Sequence, residues 1–293
     1  MVLGIFRRAV LLVLCALALP VRAADAPRVV ASIAPLHSLA AMVMAGAGEP
    51  LLLAAPGASP HTLALKPSEA AALRQADLVF WIGPELEGFL RRPLADLKPG
   101  ARAVALSRAP GIDLLATSAG GAVMDMHLWL DPANARVMAK AMASVLAERD
   151  PGRASLYAAN ARAAADALDA LELELQTTLA SAAGRPFVVF HDAYRYFERR
   201  YGLNAVGAIT AGSDRPLGAG QTAALYERAR RQGAACVFAE PQFSPRAVAA
   251  VAEAIGARTG VLDPLGQGLE LGPGLYAAMM RGLAKNLVSC LEN

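Results

Sequence analysis

The residues best suited to chemistry in this chain are three of its four histidines, His61, His127 and His191. Each lies where an apolar run gives way to a turn or to the start of a helix. His191 directly follows 187–190 (FVVF), a run typical of a buried parallel strand. In open α/β sheets, ligands bind outside the carboxyl ends of the strands. Imidazole is a good zinc ligand, and zinc prefers four ligands in a tetrahedron. Since the three histidines occupy similar positions at the ends of apolar runs, we predict that they converge on one metal ion and supply three of its ligands.

A carboxylate or a water molecule would supply the fourth ligand. Asp263 is the first candidate because it follows the strand-like segment 258–262, and Glu240, after 236–239, is the second. Either carboxylate could instead cap the helix that follows it, and Glu240 could also support a ligand without binding the metal itself. His37 lies at a helix start after a strand, and we interpret it as a helix-terminus group or as a support for a ligand. The candidate ligands are too widely separated to form a short zinc motif such as HExxH.

Short apolar runs alternate with helical patterns along the chain, which predicts an α/β fold with parallel sheets. The predicted strands are 28–34, 51–54, 78–82, 103–106, 187–190, 204–208, 236–239 and 258–262. The predicted helices, besides one that begins at 67, are 35–47, 132–150, 193–201, 220–232, 245–255 and 275–291.

The longest helical pattern, 153–183, is rich in Ala, Leu and Glu. A helix of about 30 residues spans about 45 Å, so we interpret this one as a rigid connection between two lobes. Its charges and heptads are too irregular to favour a coiled coil. We predict a first lobe at 24–151, a linking helix at 152–184 and a second lobe at 185–293.

The first 23 residues have the pattern of a cleavable secretory signal: Arg7 and Arg8, the apolar stretch 9–20, and the small residue Ala23. The apolar stretch is too short to span a membrane. Removing this segment removes three arginines, Arg7, Arg8 and Arg22, and no acidic residue, so the formal net charge falls from +3 to zero. A formally neutral chain without a clustered basic patch gives no indication of nucleic-acid binding.

Cys236 and Cys290 remain after this predicted cleavage. In an exported protein two cysteines can pair, so we favour a disulfide over two separate buried thiols. It would close a loop of about 55 residues.

Six segments, spread over nearly all of the chain beyond the predicted signal, resemble the zinc-specific solute-binding proteins of bacterial ABC importers (ZnuA-like, cluster A-I). The six segments occur in the same order as in the family. Their combination is specific for this family, although no single segment is. They are VVASIAPLHSLAAMVMAG (29–46), GASPHTLALKPSEAAALRQADLVFWIGPELEGFL (57–90), MHLWLDPANA (126–135), FVVFHDAYRYFERRYGL (187–203), CVFAEPQFSPRAV (236–248) and VLDPLG (261–266).

This resemblance implies two Rossmann-like lobes joined by one long rigid helix, with the metal in the cleft between them. It implies that His61, His127 and His191 are ligands. Asp263 corresponds to an aspartate that completes the site in related members, although less uniformly in zinc importers. Manganese-binding relatives typically have a glutamate in place of the third histidine, so His191 favours zinc. Many zinc importers carry a histidine-rich loop before the second ligand, whereas 107–125 is short and contains no histidine.

The function that the resemblance implies is periplasmic capture of one Zn²⁺ per chain by a monomer and its delivery to a membrane permease, without catalysis. Two alternatives within the family are a manganese-binding protein and a surface adhesin. A third alternative is a secreted zinc hydrolase, in which three histidines and a water would bind the metal and Glu240 would act as the base.

Overall fold

The computed structural model of this chain describes residues 26–54, 57–117, 123–211 and 215–292. The predicted signal segment therefore lies outside the described residues. The strands are β1 Val29–Ala31, β2 Leu51–Leu52, β3 Leu78–Trp81, β4 Arg102–Ala105, β5 Pro186–Val189, β6 Asn204–Ala208, β7 Thr210–Ala211, β8 Arg215–Pro216, β9 Cys236–Ala239 and β10 Arg258–Val261. Two four-stranded parallel sheets form the framework, with strand orders β2-β1-β3-β4 and β10-β9-β5-β6, and β7 and β8 form a two-stranded antiparallel pair.

Eight α-helices pack around these sheets within the described ranges. They are α1 Ala34–Val43, α2 Pro67–Gln75, α3 Pro132–Arg149, α4 Ala154–Leu179, α5 Arg195–Tyr201, α6 Ala219–Gln232, α7 Arg246–Ile255 and α8 Leu275–Glu292. None of these helices combines the length and apolar character that a membrane span needs. We call the first sheet with α1–α3 the first lobe, and the second sheet with α5–α8 the second lobe. The predicted α/β class with two parallel-sheet lobes is confirmed.

The inner strands β1, β3, β5 and β9 form because their apolar runs are covered on both faces. All four residues of β3 are buried, as are the last three of β5, so continuous apolar sequence suits parallel strands with helices on either side. Asp131 ends the segment before α3, and its side chain accepts a hydrogen bond from the Ala133 backbone N–H at 2.9 Å. With Pro132 at the first helical position, this is the helix start that the Asp-Pro pair predicts.

Helix α4 is the long connection that the sequence predicts, and its 26 residues span about 39 Å. One side of it is buried against α1 and α3 of the first lobe and α8 of the second. Salt bridges at 2.7 Å fix it to both lobes, from Arg136 of α3 to Glu172 and from Arg281 of α8 to Glu174. The exact lobe boundaries at 151 and 184 stay predictions. The apolar positions that α4 buries include Leu168, Leu171, Leu175 and Leu179.

The two lobes also meet directly through α8. The Ser38 hydroxyl in α1 accepts a hydrogen bond from the Tyr276 backbone N–H at 3.0 Å and donates one to the Pro273 carbonyl at 3.1 Å. The Tyr276 hydroxyl donates to the Trp129 carbonyl at 2.7 Å. Since Ser38, Tyr276 and Trp129 are buried, these contacts hold the start of α8 against α1 and against the segment that carries His127.

The predicted disulfide between Cys236 and Cys290 is present and joins β9 to α8. We expect reductant to lower the free energy of unfolding by about 4 kcal/mol, because the bond closes a loop of about 55 residues that the reduced unfolded chain leaves open. Urea unfolding with and without reductant measures this difference. A Cys236→Ala/Cys290→Ala variant is the control and should not respond to reductant. Equal urea midpoints for the oxidised and reduced wild type would contradict the expectation.

Candidate metal centre

The three predicted histidines meet in the cleft between the lobes. The Nε2 atom of His127 lies 3.1 Å from Nε2 of His61 and 3.2 Å from Nε2 of His191. Four tetrahedral ligands with Zn–N bonds of about 2.0–2.1 Å would place neighbouring nitrogens about 3.3 Å apart. Among the described residues, these three form a group whose ligating atoms all lie within 4.8 Å of one another. The observed spacing therefore approaches that of a tetrahedral site.

His127 is held by a carboxylate two residues before it. Its Nδ1 lies 2.7 Å from Oδ1 of Asp125, and its backbone N–H donates to the same oxygen at 2.9 Å. An ionised carboxylate only accepts hydrogen bonds, so Nδ1 carries the proton and Nε2 presents a lone pair to the centre of the site. Asp125 was not among the sequence-predicted site residues. The one available signal was its spacing from the histidine in the segment DMH at the end of the loop 107–125.

His191 is held in the same way from the neighbouring strand. It follows β5, and its Nδ1 lies 2.6 Å from Oε1 of Glu240, which follows β9. These strands are adjacent in the sheet, so their carboxyl ends bring the two side chains together. Glu240 is buried, and it contacts the far side of the imidazole from the metal position. Such a carboxylate fixes the tautomer and the ring orientation of a ligating histidine.

His61 comes from the loop between β2 and α2 and is the most accessible of the three histidines. Burial is the main cause, and charge repulsion from the neighbouring His127 and His191 a smaller one, of a shift that lowers the pKa of its imidazole from 6.5 to about 3. The ring is therefore neutral over the physiological pH range, and neutral imidazole is the form that binds a metal.

Asp263 and His37 have other contacts in this structure. The Asp263 carboxylate accepts hydrogen bonds from the Gln242 side chain at 2.9 Å, from the Leu265 backbone N–H at 3.0 Å and from the Gln267 backbone N–H. It thereby closes the turn after β10, and its binding to a metal stays a prediction. Nε2 of His37 lies 3.0 Å from the Pro50 carbonyl oxygen, which places this ring at the junction of α1 and β2. Its support of a ligand likewise stays a prediction.

The cavity beside the three histidines combines their nitrogens with apolar walls. A low-polarity wall strengthens the electrostatic attraction between the ligands and a cation. The Trp129 indole N–H donates to the Pro264 carbonyl at 2.8 Å, so two of the wall residues, one from each lobe, are fixed to each other. Besides the histidines, the lining includes Ser59, Pro60, Trp129, Glu240, Gln242, Phe243, Pro264 and Leu265.

The lowered pKa of the His61 imidazole can be measured by following its protonation with pH in the metal-free protein. We expect the His61 ring to stay neutral until well below pH 5, and its pKa to rise part of the way toward 6.5 in a His127→Ala/His191→Ala variant. In the unfolded chain this group protonates near 6.5, so its contribution to stability is lost as the pH falls from about 6.5 to 3. NMR of the imidazole ring nuclei measures the pKa directly. A wild-type value near 6.5 would contradict this account.

The two supporting carboxylates generate a second prediction. We expect Asp125→Asn and Glu240→Gln each to weaken Zn²⁺ binding about 10- to 100-fold, because an amide orients the imidazole less well than a carboxylate. Competition with a chelator measures the dissociation constant. Asp113→Asn is the matched control, since Asp113 is an exposed carboxylate in the same loop as Asp125 and pairs with Arg199 instead of a histidine. Unchanged affinity in both test variants would show that the carboxylates do not support the ligands.

Comparison with known proteins agrees with this geometry. A family model described as "Zinc-uptake complex component A periplasmic" matches residues 29–290. The high-affinity zinc uptake system protein ZnuA of Brucella suis is 39% identical over 305 residues, which cover 90% of this chain and 91% of that protein. The ZnuA protein of Paracoccus denitrificans is 36% identical over 313 residues, covering 94% of each chain.

A crystal structure of a ZnuA deletion mutant with zinc bound has the same fold. It superposes with a TM-score of 0.81 at 28% sequence identity and covers 91% of this chain and 98% of that one. The family match spans far more than half of the sequence and includes all three histidines of the site. The chain therefore belongs to the ZnuA family of periplasmic zinc-uptake components.

Proposed function

We propose that this protein binds one Zn²⁺ per chain with high affinity in the periplasm and delivers it to the membrane permease of an ABC importer. The observation that carries the proposal is the convergence of three Nε2 atoms, two of them on rings whose Nδ1 atoms contact buried carboxylates. Membership of the ZnuA family supports it. Export as a monomer after removal of 1–23 is part of the same proposal.

Zinc, rather than manganese, is the metal that the donor set favours. Three imidazole nitrogens suit a borderline-soft ion, whereas Mn²⁺ prefers oxygen ligands and lies below Zn²⁺ in the general order of affinities. His191 is the ligand that we propose decides this preference, because it adds a third nitrogen where a carboxylate would add an oxygen. We propose that Asp263 or a water molecule is the fourth zinc ligand.

Delivery requires that the ligand geometry change when the protein meets the permease. We propose that His61, on the loop between β2 and α2, moves with the first lobe relative to His127 and His191, whose segments are hydrogen-bonded to each other through helix α5. A small shift between the lobes would then lengthen at least one metal–nitrogen bond. The long helix α4, whose buried side packs against α1, α3 and α8, limits this motion to a small amplitude. Proton competition for the imidazoles also weakens binding as the pH falls.

We propose no catalytic step. In the hydrolase alternative Glu240 would be the general base, but its Oε1 atom lies 2.6 Å from Nδ1 of His191. A carboxylate in that position orients the ligand instead of activating a water molecule. Hydrolysis of ester or peptide probes that stops on chelation would overturn this part of the proposal.

Parallel Zn²⁺ and Mn²⁺ titrations of metal-free protein test the function. We expect one Zn²⁺ per chain at nanomolar affinity, much weaker Mn²⁺ binding, and a loss of at least about tenfold in Zn²⁺ affinity for His61→Ala, His127→Ala or His191→Ala. His191→Glu should lower the preference for zinc over manganese, because it exchanges a nitrogen ligand for an oxygen.

Asp113→Asn is again the control for these titrations, since its exposed carboxylate pairs with Arg199 and not with a histidine. It should bind Zn²⁺ like the wild type. Wild-type affinity in two of the three alanine variants would show that the site is wrongly assigned, and micromolar or absent Zn²⁺ binding by the wild type would contradict the function.

A further inference from the structure

Helix α5 follows His191 in the second lobe, and one of its faces contacts the first lobe on both sides of His127. The Tyr196 hydroxyl donates to the Asp125 carbonyl at 2.8 Å and accepts from the Leu115 backbone N–H at 3.0 Å. One turn later, Arg200 binds both carboxylate oxygens of Asp131, at 3.0 and 2.8 Å. The segment that carries His127 is thus fixed from the opposite lobe before and after the ligand.

The Tyr196 hydroxyl occupies an unusual place in a short antiparallel pairing. Ala116 pairs with Met124, and the Asp125 backbone N–H donates to the Leu115 carbonyl at 2.7 Å. In a regular antiparallel pair the Leu115 N–H would return a hydrogen bond directly to the Asp125 carbonyl. Here the hydroxyl stands between these two groups and bonds to both. The backbone position of Asp125 therefore depends on a side chain of the second lobe.

Asp125 transmits this constraint to the metal ligand. Its carbonyl accepts from Tyr196, while its carboxylate accepts from Nδ1 and from the backbone N–H of His127. Tyr196 is fully buried and Asp125 is 3% exposed, so water cannot readily replace a lost partner. The contacts form a continuous path from α5, through Asp125, to the imidazole.

We infer that Tyr196 is a positioning residue of the metal site, whose hydroxyl fixes the Asp125 backbone from the second lobe and so sets the orientation of His127. The same helix begins just after His191, so it couples the positions of two ligands that belong to different lobes. This inference rests on the proposed function, because Zn²⁺ is the ligand whose binding reports the orientation.

The test compares Tyr196→Phe with Tyr201→Phe. Tyr201 is a buried tyrosine on the same helix, and within the described residues its hydroxyl has no hydrogen-bond partner. Both substitutions keep the ring, so both variants should fold. We expect Tyr196→Phe to weaken Zn²⁺ binding about fivefold, less than the 10- to 100-fold typical of direct ligand partners, and Tyr201→Phe to leave it unchanged. The visible absorption bands of bound Co²⁺ should shift only in Tyr196→Phe, because they report ligand geometry.

Repeating the Tyr196→Phe substitution in a second variant distinguishes a role in positioning His127 from a general loss of packing. In an Asp125→Ala protein the path to His127 is already cut, so adding Tyr196→Phe should change the Zn²⁺ affinity less than about 1.5-fold if the two residues act as one unit. The same fivefold loss in both backgrounds would overturn the inference, as would unchanged affinity and Co²⁺ spectra in Tyr196→Phe. If the wild type itself binds no Zn²⁺, the proposed function fails and this inference fails with it; if only the Tyr196 effects are absent, the inference alone is wrong.

Discussion

The site depends on three imidazole lone pairs that point into one small space. With Nδ1 protonated, His127 and His191 place two Nε2 lone pairs 3.2 Å apart, and a cation between them turns this repulsion into attraction. Asp125 and Glu240 hold two of the rings in the tautomer that creates this arrangement, and they add two buried negative charges that a divalent ion would balance. The charge and the geometry of the site therefore both favour a metal dication.

The scaffold keeps these groups in place by linking the lobes at several points. Helix α4 is bonded to both lobes, α8 packs against α1, and the Trp129–Pro264 hydrogen bond joins the walls of the cavity. Helix α5 adds contacts to Asp125 and Asp131 on either side of His127. A site assembled from two lobes needs such cross-links, because an error of about 1 Å in one ligand is enough to lose productive geometry.

Much of the fold could be predicted from the sequence because apolar runs and helix starts are local signals. The segments 204–208 and 236–239 were predicted with the observed bounds, and the position of the histidines at strand or loop ends indicated their convergence. Asp125 and Tyr196 could not be found in this way, since their roles depend on which backbone groups meet across the lobes. The contacts of Asp263 were equally hidden, because a carboxylate after a strand can bind a metal or close the next turn.

X-ray absorption at the zinc edge, on protein loaded with one equivalent of Zn²⁺, identifies the atoms bound to the metal and their distances. We expect three imidazole nitrogens at about 2.0–2.1 Å, with one further oxygen ligand completing a tetrahedral shell. A shell that contains sulfur, or no more than one imidazole, would contradict the assignment of the three histidines as the zinc site.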